Sequence, residues 1–232
     1  MQYKSSKLNA LVRIKTSEIP ITCVVDIGVE RCTRELIVQF PHIKHHLFEP
    51  VSSFTPEIEK NYSGIDYIIY KMALSDEANV LYCIVRALRK DGVPTHARLS
   101  AAPIVVDGED VVSCSEVDVK RYEDVCENIT NKNFLLKIDV DGTELRVLQG
   151  MGRHLQSASV VIIEATFTTV LQRMTYIADK GFVLVDIVDI VYYGNSLYQC
   201  DLVFVRRDLI NDKLQPSIQE FRGDLWHRAA VS

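Results

Sequence analysis

Short runs of β-branched and other apolar residues alternate along this chain with longer stretches whose apolar residues recur at helical spacing. Such runs are typical of buried strands, and recurrence every three to four residues is typical of helices. The predicted strands cover residues 21–27, 45–49, 65–74, 80–85, 134–139, 160–164, 182–187 and 202–205. The predicted helices cover residues 33–40, 50–62, 142–155 and 166–180. Residues 86–112 have the weakest periodicity, which indicates a loop with short strands.

This alternation predicts an α/β fold, a Rossmann-like and mainly parallel sheet with helices on both faces. In such a sheet, ligands bind beyond the carboxyl ends of the strands. Acidic residues stand at the ends of four predicted strands, namely Asp26, Glu49, Asp139 and Glu164. An unpaired carboxylate is costly inside a core, so the pattern indicates a binding or catalytic edge.

The first two acids indicate a nucleotide-like cofactor. Asp26 and Gly28 end the first strand, and Glu49 ends the second, where an acid commonly accepts hydrogen bonds from ribose hydroxyls. A dinucleotide and S-adenosylmethionine both fit that placement. A pyrophosphate needs a G-x-G-x-x-G turn, whereas this loop has the single glycine Gly28 and the acid Glu30. S-adenosylmethionine carries an ammonium and a sulfonium and no phosphate, so the acidic loop favours it.

The chain resembles the FkbM-type methyltransferases over residues 21–206. The likeness rests on segments 24–28, 48–50, 73–76, 136–144 and 201–205, which occur in the family's order. The most specific of them is the run K-I-D-V-D-G-T-E, which V-L-Q-G follows shortly. Cys32 departs from the family, which usually has a glycine there, and its side chain is expected to narrow the cofactor loop.

The resemblance implies a class I methyltransferase fold, with a seven-stranded sheet and an antiparallel last strand. It implies S-adenosylmethionine as the methyl donor and a hydroxyl acceptor on a sugar or secondary metabolite. Carried over by position, Asp26 and Gly28 would lie beside the methionine part, Glu49 would hold the ribose, and Ser75 and Asp76 would lie near the adenine.

The second pair of acids bears on the chemistry. Methyl transfer to a hydroxyl requires alignment of the acceptor and removal of its proton. Asp139 is the first candidate base, because the like charge of Asp141 is expected to raise its pKa, and Glu164 is the second candidate. Asp139, Asp141 and Glu144 could instead bind Mg²⁺ or Mn²⁺ through hard oxygens. In a third interpretation Asp141 caps the helix that follows, and Glu144 supports the positive end of that helix.

Composition places the chain among ordinary soluble proteins, with 232 residues, 47% hydrophobic and 25% charged. We divide it into an N-terminal extension (1–20), a methyltransferase domain (21–206) and a C-terminal extension packed on that domain (207–232). The cysteines lack a C-x-x-C pair, the N-terminal segment lacks a signal-type apolar core, and no apolar stretch approaches transmembrane length. We therefore expect buried free thiols, a cytoplasmic location and no membrane partner.

The net charge of −5 argues against nucleic acid as the main partner. The expected partner is a small-molecule acceptor, with a homo-oligomer possible. Two rival functions are weaker. The missing glycines disfavour a nicotinamide-dependent dehydrogenase, and retention of the four strand-end acids disfavours an inactive, methyltransferase-like binding module, which Cys32 suggests.

Several other residues are weaker candidates. His45 and His46 are adjacent on a predicted strand and point to opposite faces, so they are not expected to share a metal ion. Lys137 lies within a strand and is expected to pair with an acid. His96 is either a base on the substrate side or a solvated histidine, residues 192–195 are either part of an acceptor pocket or a hairpin turn, and residues 221–226 are a candidate partner contact.

Overall fold

The structure, a computed structural model, describes residues 5–87, 93–94, 96–104, 110–129 and 132–215. In chain order, its strands are β1 (Cys23–Ile27), β2 (Lys44–Phe48), β3 (Tyr67–Tyr70), β4 (Ala73–Leu74), β5 (Asn79–Arg86), β6 (His96–Ser100), β7 (Val111–Lys120), β8 (Phe134–Ile138), β9 (Ala158–Thr166), β10 (Phe182–Tyr193) and β11 (Ser196–Arg206). Its helices are α1 (Lys7–Thr16), α2 (Arg34–Gln39), α3 (Thr55–Asn61), α4 (Tyr122–Val125), α5 (Glu144–Gly150) and α6 (Val170–Asp179). None of the described helices has the length and apolar character that crossing a lipid bilayer requires.

The larger sheet has seven strands in the order β10-β11-β9-β8-β1-β2-β3. The pairs β1·β2, β1·β8, β2·β3 and β8·β9 are parallel, whereas β11 runs antiparallel to both of its neighbours. The mainly parallel sheet with an antiparallel last strand is therefore confirmed. Strand order reverses beside β1, so the carboxyl ends of β1, β2 and β8 border the crevice where such sheets bind ligands.

Neighbouring residues of the central strands contact different layers of helices. Leu135 of β8 packs with Leu11 and Ile14 of α1, whereas the next residue, Leu136, packs with Leu148 of α5. Successive side chains of a strand point to opposite faces, so a fully apolar strand fills two cores. The predicted arrangement of helices on both faces is confirmed, and the N-terminal segment contributes one of those helices.

A second sheet of four strands, in the order β4-β7-β5-β6, was not predicted. The predicted strand 65–74 is wrong as a single element, because it divides into β3 and β4, which belong to different sheets. The predicted piece 80–85 lies inside the second sheet, between β7 and β6. Phe54 and Ile58 pack beneath this sheet against Cys83 and Val119, which fixes it beside the crevice.

Candidate functional site

A cleft opens at the carboxyl ends of β1, β2 and β8, and the second sheet borders it on the other side. Its described lining combines acidic residues from the loops that follow the strands with apolar residues. The acidic part comprises Glu30, Glu49, Asp139 and Asp141, and the apolar part includes Ile27, Phe48, Phe54, Met72, Leu74, Cys83 and Leu99.

Glu49, which follows β2 directly, is 5% exposed and is held by two backbone amides. The N–H of Glu30 donates to Oε2 at 2.8 Å, and the N–H of Val51 donates to Oε1 at 2.9 Å. Burial raises the pKa of Glu49 to about 7, although the hydrogen bonds from Val51 and Glu30 oppose the rise. Each carboxylate oxygen has a further lone pair, so this fixed group can still accept hydrogen bonds from a ligand.

The loop after β1 turns sharply and lies against the loop after β8. Gly28 has φ +80°, and a Cβ placed there would lie 1.9 Å from the carbonyl oxygen of Asp139. Glu30 has φ +54°, also in the left-handed region, and its N–H is the one that reaches Glu49. A glycine is therefore required at residue 28, because any side chain would separate the two loops.

Lys137 lies buried beneath these two loops and pairs with acids, as predicted. Its Nζ is 3.3 Å from Asp26 and 3.3 Å from Asp139, and it donates to the carbonyl oxygen of Gly28 at 3.0 Å. Burial alone would lower the pKa of Lys137, but Asp139 and Asp26 more than offset it, so the pKa is raised. Asp26 is fully buried, is the next-to-last residue of β1 and lies outside the described lining, so its contact with the methionine part stays a prediction.

Asp139 faces the cleft, with 39% of its side chain exposed. Burial raises its pKa, but Lys137 and Lys7 outweigh burial, so the net shift is downward. The expectation that Asp141 raises the pKa of Asp139 is wrong, because two lysines face Asp139 and dominate its environment. Asp139 is therefore an ionised carboxylate at neutral pH.

Glu164 lies beside Asp139 at the same edge of the sheet. Ile138 of β8 and Ile163 of β9 are register partners, so the two acids follow directly after paired residues. Glu164 accepts a hydrogen bond from Nε2 of Gln199 at 2.6 Å. Burial, followed by the nearby charges of Asp139 and Asp201, raises its pKa to about 8. Glu164 lies within β9 rather than at its end, and outside the described lining of the cleft.

The structure separates the three acids of the possible metal site. Oδ2 of Asp141 accepts a hydrogen bond from the N–H of Ala97 at 2.9 Å, and Glu144 is buried in an ion pair with Arg173. No group of three His, Cys, Asp or Glu side chains in the described ranges is arranged to hold a metal ion. Capping by Asp141 is also wrong, because the N-cap of α5 is Thr143, whereas Glu144 does lie in the first turn of that helix.

Ser75 and Asp76 lie outside the described lining of the cleft. The hydroxyl of Ser75 donates to Asp76 at 3.0 Å, and Nε of Arg146 on α5 donates to Asp76 at 2.6 Å. Among the described residues, the lining on this side is supplied by Met72, Ala73 and Leu74. The contact of Ser75 and Asp76 with adenine stays a prediction.

A model of the methyltransferase FkbM domain matches residues 23–184, which is most of the chain. The chain belongs to the FkbM methyltransferase family. It is therefore an S-adenosylmethionine-dependent methyltransferase, and its seven-stranded sheet is that of the class I methyltransferase fold. The match spans β1 to β9 and with them all the loops that form the cleft.

Solved structures with a similar architecture are distant in sequence. An rRNA methylase from Streptococcus thermophilus is 8% identical, with 84% of this chain and 94% of that chain covered and a TM-score of 0.48. A ribosomal protein L11 methylase from Lactobacillus delbrueckii subsp. bulgaricus is 12% identical, with 85% and 76% covered and a TM-score of 0.46. No protein of curated function matches the sequence. Similarities this distant carry no argument about the acceptor.

The residues of the FkbM cleft fit S-adenosylmethionine. Acidic Glu30 and Asp139 match a ligand with an ammonium and a sulfonium, buried Glu49 matches ribose hydroxyls, and the apolar part matches an adenine ring. Cys32 is exposed and lines this cleft, whereas its expected narrowing of the cofactor loop stays a prediction.

Of the weaker candidates, His96 lies on the cleft wall. His45 bonds the carbonyl oxygen of Phe40 and His46 bonds the hydroxyl of Tyr70, so the two histidines are separately engaged, as expected. Tyr192 and Tyr193 end β10, Gly194 and Asn195 form the exposed hairpin turn to β11, and residues 221–226 fall outside the described ranges. All six cysteines lie in the described ranges and are free thiols, and Cys23, Cys83, Cys126 and Cys200 are buried.

Sequence reasoning missed the part of the cleft that the second sheet supplies. Cys83, Ala97 and Leu99 line it although they stand far along the chain from the strand-end acids. A local signal existed for β7, where buried Val117 and Val119 alternate with exposed Asp118. Nothing in the local pattern indicates that β6 would face the cofactor loops.

Proposed function

We propose that this FkbM-family protein transfers the methyl group of S-adenosylmethionine to a hydroxyl of a small molecule, a sugar or another secondary metabolite. Asp139 and Glu164 lie side by side where β8 and β9 approach their carboxyl ends, which we call the reacting edge of the sheet. The observation that carries the proposal is that the pKa values of these two carboxylates are shifted in opposite directions. A hydroxyl must lose a proton to accept a methyl group, and divergent pKa values in a carboxylate pair are the usual mark of an acid–base site.

The cleft residues divide the binding task between them. Glu49 would receive the ribose hydroxyls, the turn from Gly28 to Glu30 would hold the methionine part, and Leu74 and Leu99 of the lining would enclose the adenine. When bound, the cofactor supplies an electrophilic methyl carbon on sulfur. Asp139 is ionised at the mouth of the cleft and favours the positive charge there.

Glu164 takes the proton. A base is most effective when its pKa lies near the working pH, and the pKa of Glu164 is about 8. With cofactor and acceptor bound, the acceptor oxygen would form its bond to the methyl carbon as the carbon–sulfur bond breaks, and the hydroxyl proton would pass to the Glu164 carboxylate. Asp139 then orients the acceptor, because two lysines keep its proton affinity low.

Cofactor binding is tested by titration calorimetry. We expect S-adenosylhomocysteine to bind and NAD to show no comparable affinity. Glu49→Ala should weaken S-adenosylhomocysteine by about 1–3 kcal/mol, since it removes a charged acceptor of hydrogen bonds. Asp66→Ala, which alters an exposed acid outside the cleft, is the control and should leave affinity unchanged. Tighter binding of NAD would overturn the proposal.

Turnover is tested with a panel of sugars, glycosylated metabolites and RNA oligonucleotides. We expect methylation of a hydroxyl substrate, with kcat rising through about pH 8 as Glu164 loses its proton. Glu164→Gln should lower kcat by about a hundredfold and remove this rise, and Asp139→Asn should lower kcat while the rise remains.

If Asp139→Asn removes the pH dependence and Glu164→Gln does not, Asp139 is the base. Methylation of RNA alone would refute the small-molecule acceptor.

A further inference from the structure

The second sheet forms one wall of the cofactor cleft. Cys83 of β5 and His96, Ala97 and Leu99 of β6 line the cleft opposite the loops that follow β1 and β8. A sheet inserted between β3 and β8 therefore contacts the same space as Glu49 and Asp139. Any cofactor in this space must touch residues from both sheets.

A hydrogen bond joins this wall to the loop after β8. β6 is an outer strand of the second sheet and pairs with β5 on one side. The backbone groups on the other side of an outer strand need partners from elsewhere. The N–H of Ala97 finds its partner in Oδ2 of Asp141 at 2.9 Å. Asp141 is thereby engaged in neither a helix cap nor a metal site.

A second contact joins the wall to the loop after β1. Nη1 of Arg31 donates to the carbonyl oxygen of Pro94, just before β6, at 3.0 Å. Two further contacts fix the Arg31 side chain. Its Nε donates to Glu57 at 3.0 Å, and its guanidinium lies 4.6 Å from the centre of the Phe54 ring. Only 20% of the Arg31 side chain is exposed, so most of it is shielded from water.

We infer that Asp141 is a positioning residue for the cofactor, because it docks β6 across the cleft and thereby places Leu99 and His96 against the bound ligand. The inference rests on the proposed function and extends it to the second sheet. Asp141 acts through the backbone of Ala97, so an uncharged acceptor of the same shape should serve equally well. A role in charge attraction or metal binding would instead require the carboxylate.

The experiment compares Asp141→Ala with Asp141→Asn, which keeps a side-chain oxygen in the accepting position. Affinity for S-adenosylhomocysteine is measured by calorimetry, and exchange of the Ala97 amide hydrogen is measured by NMR without ligand. Asp141→Ala should weaken the ligand by about tenfold and accelerate exchange at Ala97, whereas Asp141→Asn should stay within about twofold of wild type in both. Asp124→Ala, which removes an acid bound to Arg121 outside the cleft, should change neither.

Equal binding by Asp141→Ala and wild type would overturn the inference. So would an Asp141→Asn variant as impaired as Asp141→Ala, because a charge would then be required. If wild type fails to bind S-adenosylhomocysteine, the proposed function fails. The exchange rate of the Ala97 amide then tests, without any ligand, whether Asp141 docks β6. Faster exchange at Ala97 in Asp141→Ala would then support docking by Asp141, and an unchanged rate would refute it.

Discussion

Asp139 and Glu164 are neighbours with similar chemistry, yet their environments differ in one respect. Asp139 faces the cations Lys137 and Lys7, whereas the charges that act on Glu164 are those of other acids. The sequence predicts both acids at the same edge of the sheet, since each ends a predicted buried strand. The sequence does not predict the pKa values of the two acids. Lys7, which lowers one of them, belongs to a helix that is far from both acids in the chain.

The raised pKa of Glu164 makes protein stability depend on pH. The folded pKa of about 8 lies above the ordinary value of 4.5, so between these values the folded chain binds more protons than the unfolded chain. The free energy of unfolding must therefore fall as pH rises from about 4.5 to about 8. Glu164→Gln removes the ionisation but keeps an oxygen that can accept from Gln199.

We expect Glu164→Gln to be more stable than wild type above about pH 8, by at least about 1 kcal/mol, and closest to wild type near about pH 5. Urea unfolding at both pH values measures the difference. The same pH slope in wild type and Glu164→Gln would show that Glu164 keeps an ordinary pKa when folded. Glu49, with its pKa of about 7, should leave a smaller decline in both proteins.

At the scale of elements, strands buried on both faces were the easiest to predict. β1, β8 and β9 are nearly continuous apolar runs, and their order with the intervening helices determines the parallel sheet. β5, β6 and β7 are half-exposed and less regular, and their pairing joins segments far apart in the chain. Asp141 was misassigned for the same reason, since its partner Ala97 belongs to one of these strands.

The conformation of the loop after β1 depends on Gly28, and a substitution there should change both ligand binding and the free energy of unfolding. Gly28→Ala should abolish binding of S-adenosylhomocysteine and lower the free energy of unfolding by about 3 kcal/mol or more, because the new Cβ would meet the Asp139 carbonyl in a left-handed backbone. Gly64→Ala is a matched control, with φ +91° and nothing within 4 Å of the added Cβ. It should cost about 1 kcal/mol and leave binding intact. Equal losses in both variants would show that strain alone, and not loop contact, explains the requirement.

At the scale of the whole molecule, the site extends beyond the family-matched segment 23–184. Helix α1 precedes that segment and β11 follows it, yet the Nζ of Lys7 on α1 lies 2.7 Å from Asp201 on β11. Asp201 is the register partner of Glu164, and Lys7 also lowers the pKa of Asp139. Both ends of the described chain therefore set the charge balance at the reacting edge.

Lys7 and Asp201 are both largely buried, with side chains 13% and 10% exposed, so their pairing should matter for folding. Lys7→Ala leaves a buried carboxylate without its cation, and we expect it to lower the free energy of unfolding by about 2–4 kcal/mol near neutral pH.

The Lys213–Glu18 pair has the same 2.7 Å separation but side chains 59% and 76% exposed, so Lys213→Ala should produce no measurable change. Urea unfolding at about pH 7 compares the two variants. Lys7→Ala should lose less stability as the pH falls, because the raised pKa of Asp201 favours its protonated form, which needs no cation. Equal, small effects of the two substitutions would mean that α1 packs through its apolar face alone. Lys7 would then not compensate the negative charge of the acids at the reacting edge.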